Sequence, residues 1–220
     1  MAKIVFSFIS LWVALSVVPF QLFAEKAPDE RTLTEEIDLK KHIEYLEDPT
    51  KKLTFSDVSS SKFDSKFEKF DISKSGFGHS QSEFWIRFTI PPNIPLDKDW
   101  ILLIDNYWLD YIELFYSLEN GEILHKVAGY RFPFHQREIF HHNFAFTLPA
   151  INSIDQVYLK ISDPRYLIEI PLYLKSTKLL IKQLDIKKIL YGTYFGLIAA
   201  LAISSLIYFI TAREAAYFLY

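Results

Sequence analysis

DYIELFYSLENGEILHKVAGY, residues Asp110 to Tyr130, sets two runs of aromatic and β-branched residues on either side of Glu119-Asn120-Gly121. Runs of this kind are half-buried strands, in which successive side chains point to opposite faces. Asn-Gly supplies the left-handed backbone of a tight hairpin turn, so Asp110–Ser117 is expected to pair antiparallel with Glu122–Tyr130.

Working outward, the same grammar repeats on both sides. EFWIRFTI (83–90) stops at Pro91-Pro92, WILLID (100–105) at Asn106, and QVYLKIS (156–162) at Asp163-Pro164, while EIFHHNFAFTL (138–148) and LIEIPLYLK (167–175) complete the set. Within EFWIRFTI, Phe84, Ile86 and Phe88 share one face and Trp85, Arg87 and Thr89 the other. Pro171 places the last run at a sheet edge or a bulge. Many short strands divided by turn signals make an all-β domain, with two packed antiparallel sheets as its natural form. Upstream, Ile37–Val58 reads two ways, since Ile37, Lys41 and Glu44 fit a helix face while residues 42–46 alternate as a strand. SSSKFDSKFEKF (59–70) is polar enough to be a loop.

The two ends differ from this middle. Lys3, an uncharged apolar run from Ile4 to Val18, Pro19 and then Ala24 form a secretory signal peptide over 1–24; Leu22 blurs the cleavage site. Residues 25–36 are a polar, flexible lead-in, and 37–180 hold the exported β-sandwich. Ile189 to Ile210 carries no charge and is long enough to cross the ~30 Å hydrocarbon core as a transmembrane α-helix. Together these place residues 25–188 in the periplasm and Arg213-Glu214 in the cytoplasm, at the cytoplasmic (inner) membrane. Residues 211–220, ending in AAYFLY, read as a cytoplasmic turn and the start of a second span cut short. Gly192, Gly196 and Ala200 form a small-residue stripe on which another helix can pack.

Composition narrows the function. The chain has 220 residues, a net charge of −3 and no cysteine, so the exported domain is stable without disulfides, and nucleic acid is not a partner. No nucleophile elbow, zinc-protease helix, phosphate loop or dinucleotide-binding turn is present, so neither an enzyme nor a cofactor is expected. Three of the six histidines, His135, His141 and His142, crowd the segment 129–146. In a strand His141 and His142 point to opposite faces, and Glu138 shares a face only with His142, so no metal site is expected.

Arginines and rings remain. Arg131 and Arg137 flank FPFHQ, a loop restrained by Pro133, and arginine offers a planar fork for carboxylates, phosphates or paired sugar hydroxyls. Tyr107 and Trp108 occupy another turn, where amphipathic rings either pack or bind. Two readings compete here: a ligand site built from Arg131, Arg137, Tyr107 and Trp108, or a structural ion pair at Arg137 with Trp108 as a core plug.

SEFWIRFTI, YWLDYIELFY followed by Asn-Gly, GYRFPFHQRE and LYGTYFGLIAAL…YFITAREAAYFLY, in that order, resemble the bacterial seven-transmembrane receptors with diverse intracellular signalling modules. The resemblance is to their type-2 extracytoplasmic sensor domain and the start of their membrane domain, over residues 37–220. It implies a jelly-roll-like sensor similar to carbohydrate-binding modules, coupled through helices to outputs such as histidine kinases, cyclases or phosphatases. Arg137 matches the family's arginine after Pro-Phe, here Pro133-Phe134. Six of the seven helices and any output lie outside these 220 residues, so ligand binding rather than signalling is what the chain is expected to carry. The expected ligand is a small polar molecule, a carbohydrate or a carboxylate. The alternative is an envelope protein-interaction or homodimerisation domain.

Overall fold

The structure, a computed structural model, describes residues 35–212 apart from 93, 97 and 98, and of 208 and 212 only the backbone. The expected signal peptide, most of the expected lead-in and residues 213–220 lie outside the described residues.

Twelve strands form among the described residues. β1 (Glu36–Asp38) precedes β2 (Glu44–Asp48), β3 (Glu68–Lys69), β4 (Gly76–Gly78), β5 (Glu83–Phe88) and β6 (Trp100–Ile104). β7 (Tyr111–Leu118), β8 (Ile123–Ala128), β9 (Phe144–Thr147), β10 (Ile154–Ser162), β11 (Ile168–Glu169) and β12 (Leu172–Ser176) follow. A six-stranded sheet runs β3-β2-β5-β10-β7-β8, a four-stranded sheet runs β1-β12-β6-β9, and β11 pairs with β4. Every pairing is antiparallel. The chain passes repeatedly from one large sheet to the other, as in a jelly roll.

Alternation explains the sandwich. Phe84, Ile86 and Phe88 of β5, Ile112, Leu114 and Tyr116 of β7, and Val157, Leu159 and Ile161 of β10 enter the same apolar core as Leu102, Ile104, Phe144, Phe146, Leu172 and Leu174 of the other sheet. The opposite face of the six-stranded sheet is not bare. Trp85, Phe115 and Tyr158 lie there beneath Phe55, Val58, Phe63 and Phe67, supplied by a short helix α1 (Phe55–Val58) and a 3-10 turn (Ser61–Lys66). Phe55 stacks on Phe115 at 4.6 Å, and Arg87 lies 4.1 Å from the Phe67 ring centre while pairing with Glu44 and Asp64. The polar segment 59–70, expected to be a loop, is thus a lid whose phenylalanines bury Trp85. In Ile37–Val58 the strand reading prevails at Glu44–Asp48, flanked by helical turns.

Three local expectations need correction. At the β7–β8 hairpin only Gly121 is left-handed, at φ 82, and Asn120 is not. The amide of Gly121 donates to the Leu118 carbonyl at 2.9 Å, giving a type I turn closed by a left-handed glycine instead of a two-residue Asn-Gly turn. Pro171 does not put its strand at an edge: it separates β11 from β12, and β12 sits between β1 and β6. The expected strand at 138–148 begins only at Phe144, for a reason given below.

β12 runs without a linker into α2 (Thr177–Ala212). The Ser176 hydroxyl caps this helix by accepting from the Leu179 amide at 3.1 Å. Beyond Lys188 its apolar side chains face outward, with Ile189, Phe195 and Ile210 at 68%, 63% and 65% exposure, whereas a core helix would bury one side. It is the one helix among the described residues long and apolar enough to cross a membrane.

Candidate ligand-recognition site

Three turns meet around Trp108. The β6–β7 turn carries Tyr107 and Trp108, the exit from β8 carries Tyr130 and Arg131, and the β10–β11 turn carries Arg165 and Tyr166. The Trp108 ring lies 4.6 Å from Tyr107, 5.7 Å from Tyr130 and 5.6 Å from Tyr166, centre to centre. All four rings stay 42–50% exposed, so they form a surface platform and not a core plug.

Buried polar groups hold the platform. Asp163, 1% exposed, accepts from the amides of Arg165 and Tyr166 at 3.0 Å and of Asp110 at 3.2 Å, tying two of the turns together. Asp110, also buried, accepts from both Arg131 and Arg165. Asn106 fixes the Trp108 turn by accepting from the Trp108 amide at 3.0 Å and donating to the Glu169 carbonyl at 3.1 Å. Gly129, at φ 140, lets the chain leave β8 hard against β7, since a Cβ there would stand 2.2 Å from the Asp110 carbonyl oxygen. The Tyr130 amide then donates to the Leu109 carbonyl at 2.8 Å.

Arg131 lies 4.6 Å from the Tyr111 ring centre, and both platform arginines keep about half of their side-chain surface exposed, at 47% and 52%. Burial, with help from the hydrogen bond to Glu113, pushes the Tyr111 phenol up to about 12, so the ring beneath Arg131 stays neutral at physiological pH. The arrangement offers stacking faces beside two half-exposed guanidinium groups, each with N–H groups beyond those that Asp110 accepts.

Arg131, Tyr107 and Trp108 are therefore brought together, and Tyr130, Tyr166 and Arg165 join them. Arg137 is elsewhere. Its Nη1 donates to the carbonyls of His141 at 2.8 Å and His142 at 2.5 Å, and its guanidinium lies 4.8 Å from Phe134 and 4.5 Å from Phe144. These two carbonyls are thereby withdrawn from the sheet ladder, which is why β9 starts at Phe144. His141 is buried, with Nδ1 accepting from the Asn143 amide at 3.0 Å, and its ring packs 4.2 Å from that of exposed His142. The two rings thus lie together and not on opposite faces of a strand. Glu138 is engaged by Lys126 and Thr147. Among the described residues no group of three His, Cys, Asp or Glu is placed to hold a metal ion.

Sequence reasoning missed Arg165 and Tyr166, although Asp163-Pro164-Arg165-Tyr166 has the same combination of turn former, guanidinium and ring that singled out the Pro133 loop. Their nearness to Trp108 depends on β6 and β10 ending at the same edge of the sandwich.

An antiparallel β-sandwich followed in the chain by an apolar helix of spanning length defines the class, a β-sandwich domain with a candidate membrane span. The chain belongs to the 7TMR-DISM extracellular 2 family, whose profile matches residues 40–176. No curated protein sequence matches it significantly. The family is one of receptor sensor domains and not of enzymes, and with the helix it fits an inner-membrane protein with a periplasmic segment.

Proposed function

We propose that this sensor recognises a small polar ligand, a carbohydrate before a simple carboxylate, on the platform around Trp108. The observation that carries this reading is the group of four half-exposed rings on turns pinned by Asp110 and Asp163. A pyranose presents one apolar face suited to stacking and edge hydroxyls suited to forked donors. Tyr107 and Trp108 supply the stacking surface, Tyr130 and Tyr166 extend it, and Arg131 and Arg165 donate at its rim. Arg137 is not part of this platform.

Calorimetry of the full chain in lipid nanodiscs against a panel of neutral and acidic oligosaccharides tests the proposal. Saturable binding that falls at least ~10-fold in Trp108→Ala supports it, a loss of about the size of one ring stacking contact. Binding that ignores both Trp108→Ala and Arg131→Ala sinks it.

One observation favours a second reading. Two depressions, of about 240 and about 480 Å³, lie at other places on the domain and are not lined by these rings. An exposed aromatic patch also suits a protein partner in the envelope or a second copy of the chain. Concentration-dependent self-association of the full chain, abolished by Trp108→Ala, would select this alternative.

A further inference from the structure

β8 and β9 are edge strands of different sheets, so the sandwich opens between them. The opening holds a depression of about 240 Å³ whose apolar wall is Val127, Ala128, Phe144, Ala145 and Phe146. Its polar side has an unusual charge arrangement. Lys126 is matched by Glu138 at 2.8 Å, but among the described residues Arg137 has no carboxylate within ion-pair distance. Its Nη1 is spent on two neutral carbonyls, and its Nε is buried with no hydrogen-bond partner. Burial lowers the pKa of this arginine below the ordinary value, the direction expected of a cation desolvated without a counter-ion. The depression therefore carries one unmatched positive charge against an apolar wall.

We infer that this depression is a second ligand site, separate from the Trp108 platform, and that it takes a small monocarboxylate with an apolar or aromatic body. With Nη1 spent and Nε enclosed, the Nη2 N–H groups are left for a ligand; a charge-assisted bond from them favours a carboxylate over a hydroxyl, and pairing would supply the missing counter-charge. The apolar wall takes the body of the acid. The volume falls below the ~300–1,000 Å³ of drug-sized pockets, which limits the ligand to a small acid. Glu138 at the rim opposes a second negative charge, which excludes dicarboxylates. Bracing of the His141 and His142 carbonyls by the same guanidinium makes the loop 137–143 the element that occupancy would stiffen.

The probes are benzoate and its neutral counterpart benzamide, added to the full chain in nanodiscs and followed by saturation-transfer NMR and calorimetry. Benzoate is expected to bind saturably and benzamide at least ~10-fold more weakly, the loss of a charge-assisted hydrogen bond. Arg137→Gln abolishes benzoate binding. Because Arg137 also braces its loop, Gln136→Glu, at an exposed position that lines the depression, serves as the second variant: it places a like charge beside the site and weakens benzoate at least ~10-fold. Trp108→Ala leaves benzoate binding unchanged, which separates this site from the platform, whatever the oligosaccharide panel shows. No saturable benzoate signal, equal binding of benzamide, binding that survives Gln136→Glu, or loss of binding in Trp108→Ala overturns the inference.

Discussion

Gly129→Ala probes the architecture of the platform directly. Gly129 sits at φ 140, where L residues are rarely found, and the new Cβ would stand 2.2 Å from the Asp110 oxygen, 2.8 Å from its carbonyl carbon and 2.9 Å from the Tyr111 Cα. All three are backbone atoms of β7 or its approach, so no side chain can swing away. Backbone strain alone costs about 1–3 kcal/mol, and overpacking adds about 1–3 kcal/mol, so a total of about 2–6 kcal/mol is expected. Gly121→Ala is the matched control: it is also left-handed, at φ 82, but nothing lies within 4 Å of the added methyl. It should cost only about 1–2 kcal/mol. Urea unfolding of both variants, followed by tryptophan fluorescence, gives the difference, and the Gly129 variant should also release Tyr130 and Arg131 from their bonds to Leu109 and Asp110. If the two glycines cost the same within about 0.5 kcal/mol, the close approach of β8 to β7 is not what sets the platform.

Two further outcomes follow from the fold. Trp85 is 1% exposed beneath the lid formed by α1 and the turn after it, so Trp85→Ala should cost about 3–5 kcal/mol, whereas Ile123→Ala, at a half-exposed position, should stay within about 0.5 kcal/mol in the same urea assay. Asp48 gives a pH signature: burial alone raises the pKa of its carboxyl, but bonds from the Thr50 hydroxyl and the amides of Leu53, Thr50 and Lys51 outweigh this and hold it below the ordinary value. Its stabilisation is therefore full above the unfolded value of about 3.9 and is lost as pH falls through the lower folded value. The stability gap between wild type and Asp48→Asn should be constant from pH 7 to 5 and close below about pH 4; a gap that is unchanged at pH 3 contradicts this.

The strands were legible because alternation and turn formers act locally: Phe84, Ile86 and Phe88 had to face one core and Trp85 another, whatever their partners. Legibility failed where a side chain competed with the ladder for backbone groups. Residues 138–143 look like a strand by composition, but Arg137 captures the His141 and His142 carbonyls, and no local pattern announces that. Pro171 pointed to an edge or a bulge, yet it falls between β11 and β12, and β12 is internal because β1, too short to be conspicuous, pairs with its free side. The platform was half legible. Tyr107, Trp108 and Arg131 stand out as rings and a guanidinium at turns, while Arg165 joins Arg131 only through the shared carboxylate of Asp110, a contact between residues 55 positions apart.

Of the three tryptophans among the described residues, Trp85 and Trp100 are buried and Trp108 is 42% exposed, so the acrylamide-quenching component that Trp108→Phe removes reports on the platform. Quenching of the full chain in nanodiscs, with and without each oligosaccharide that binds calorimetrically, tests the central claim most directly. Ligand on the platform should suppress the quenching component that Trp108→Phe removes. A ligand that binds with full calorimetric stoichiometry and leaves this component unchanged would contradict the claim that the sensor reads its ligand at Trp108.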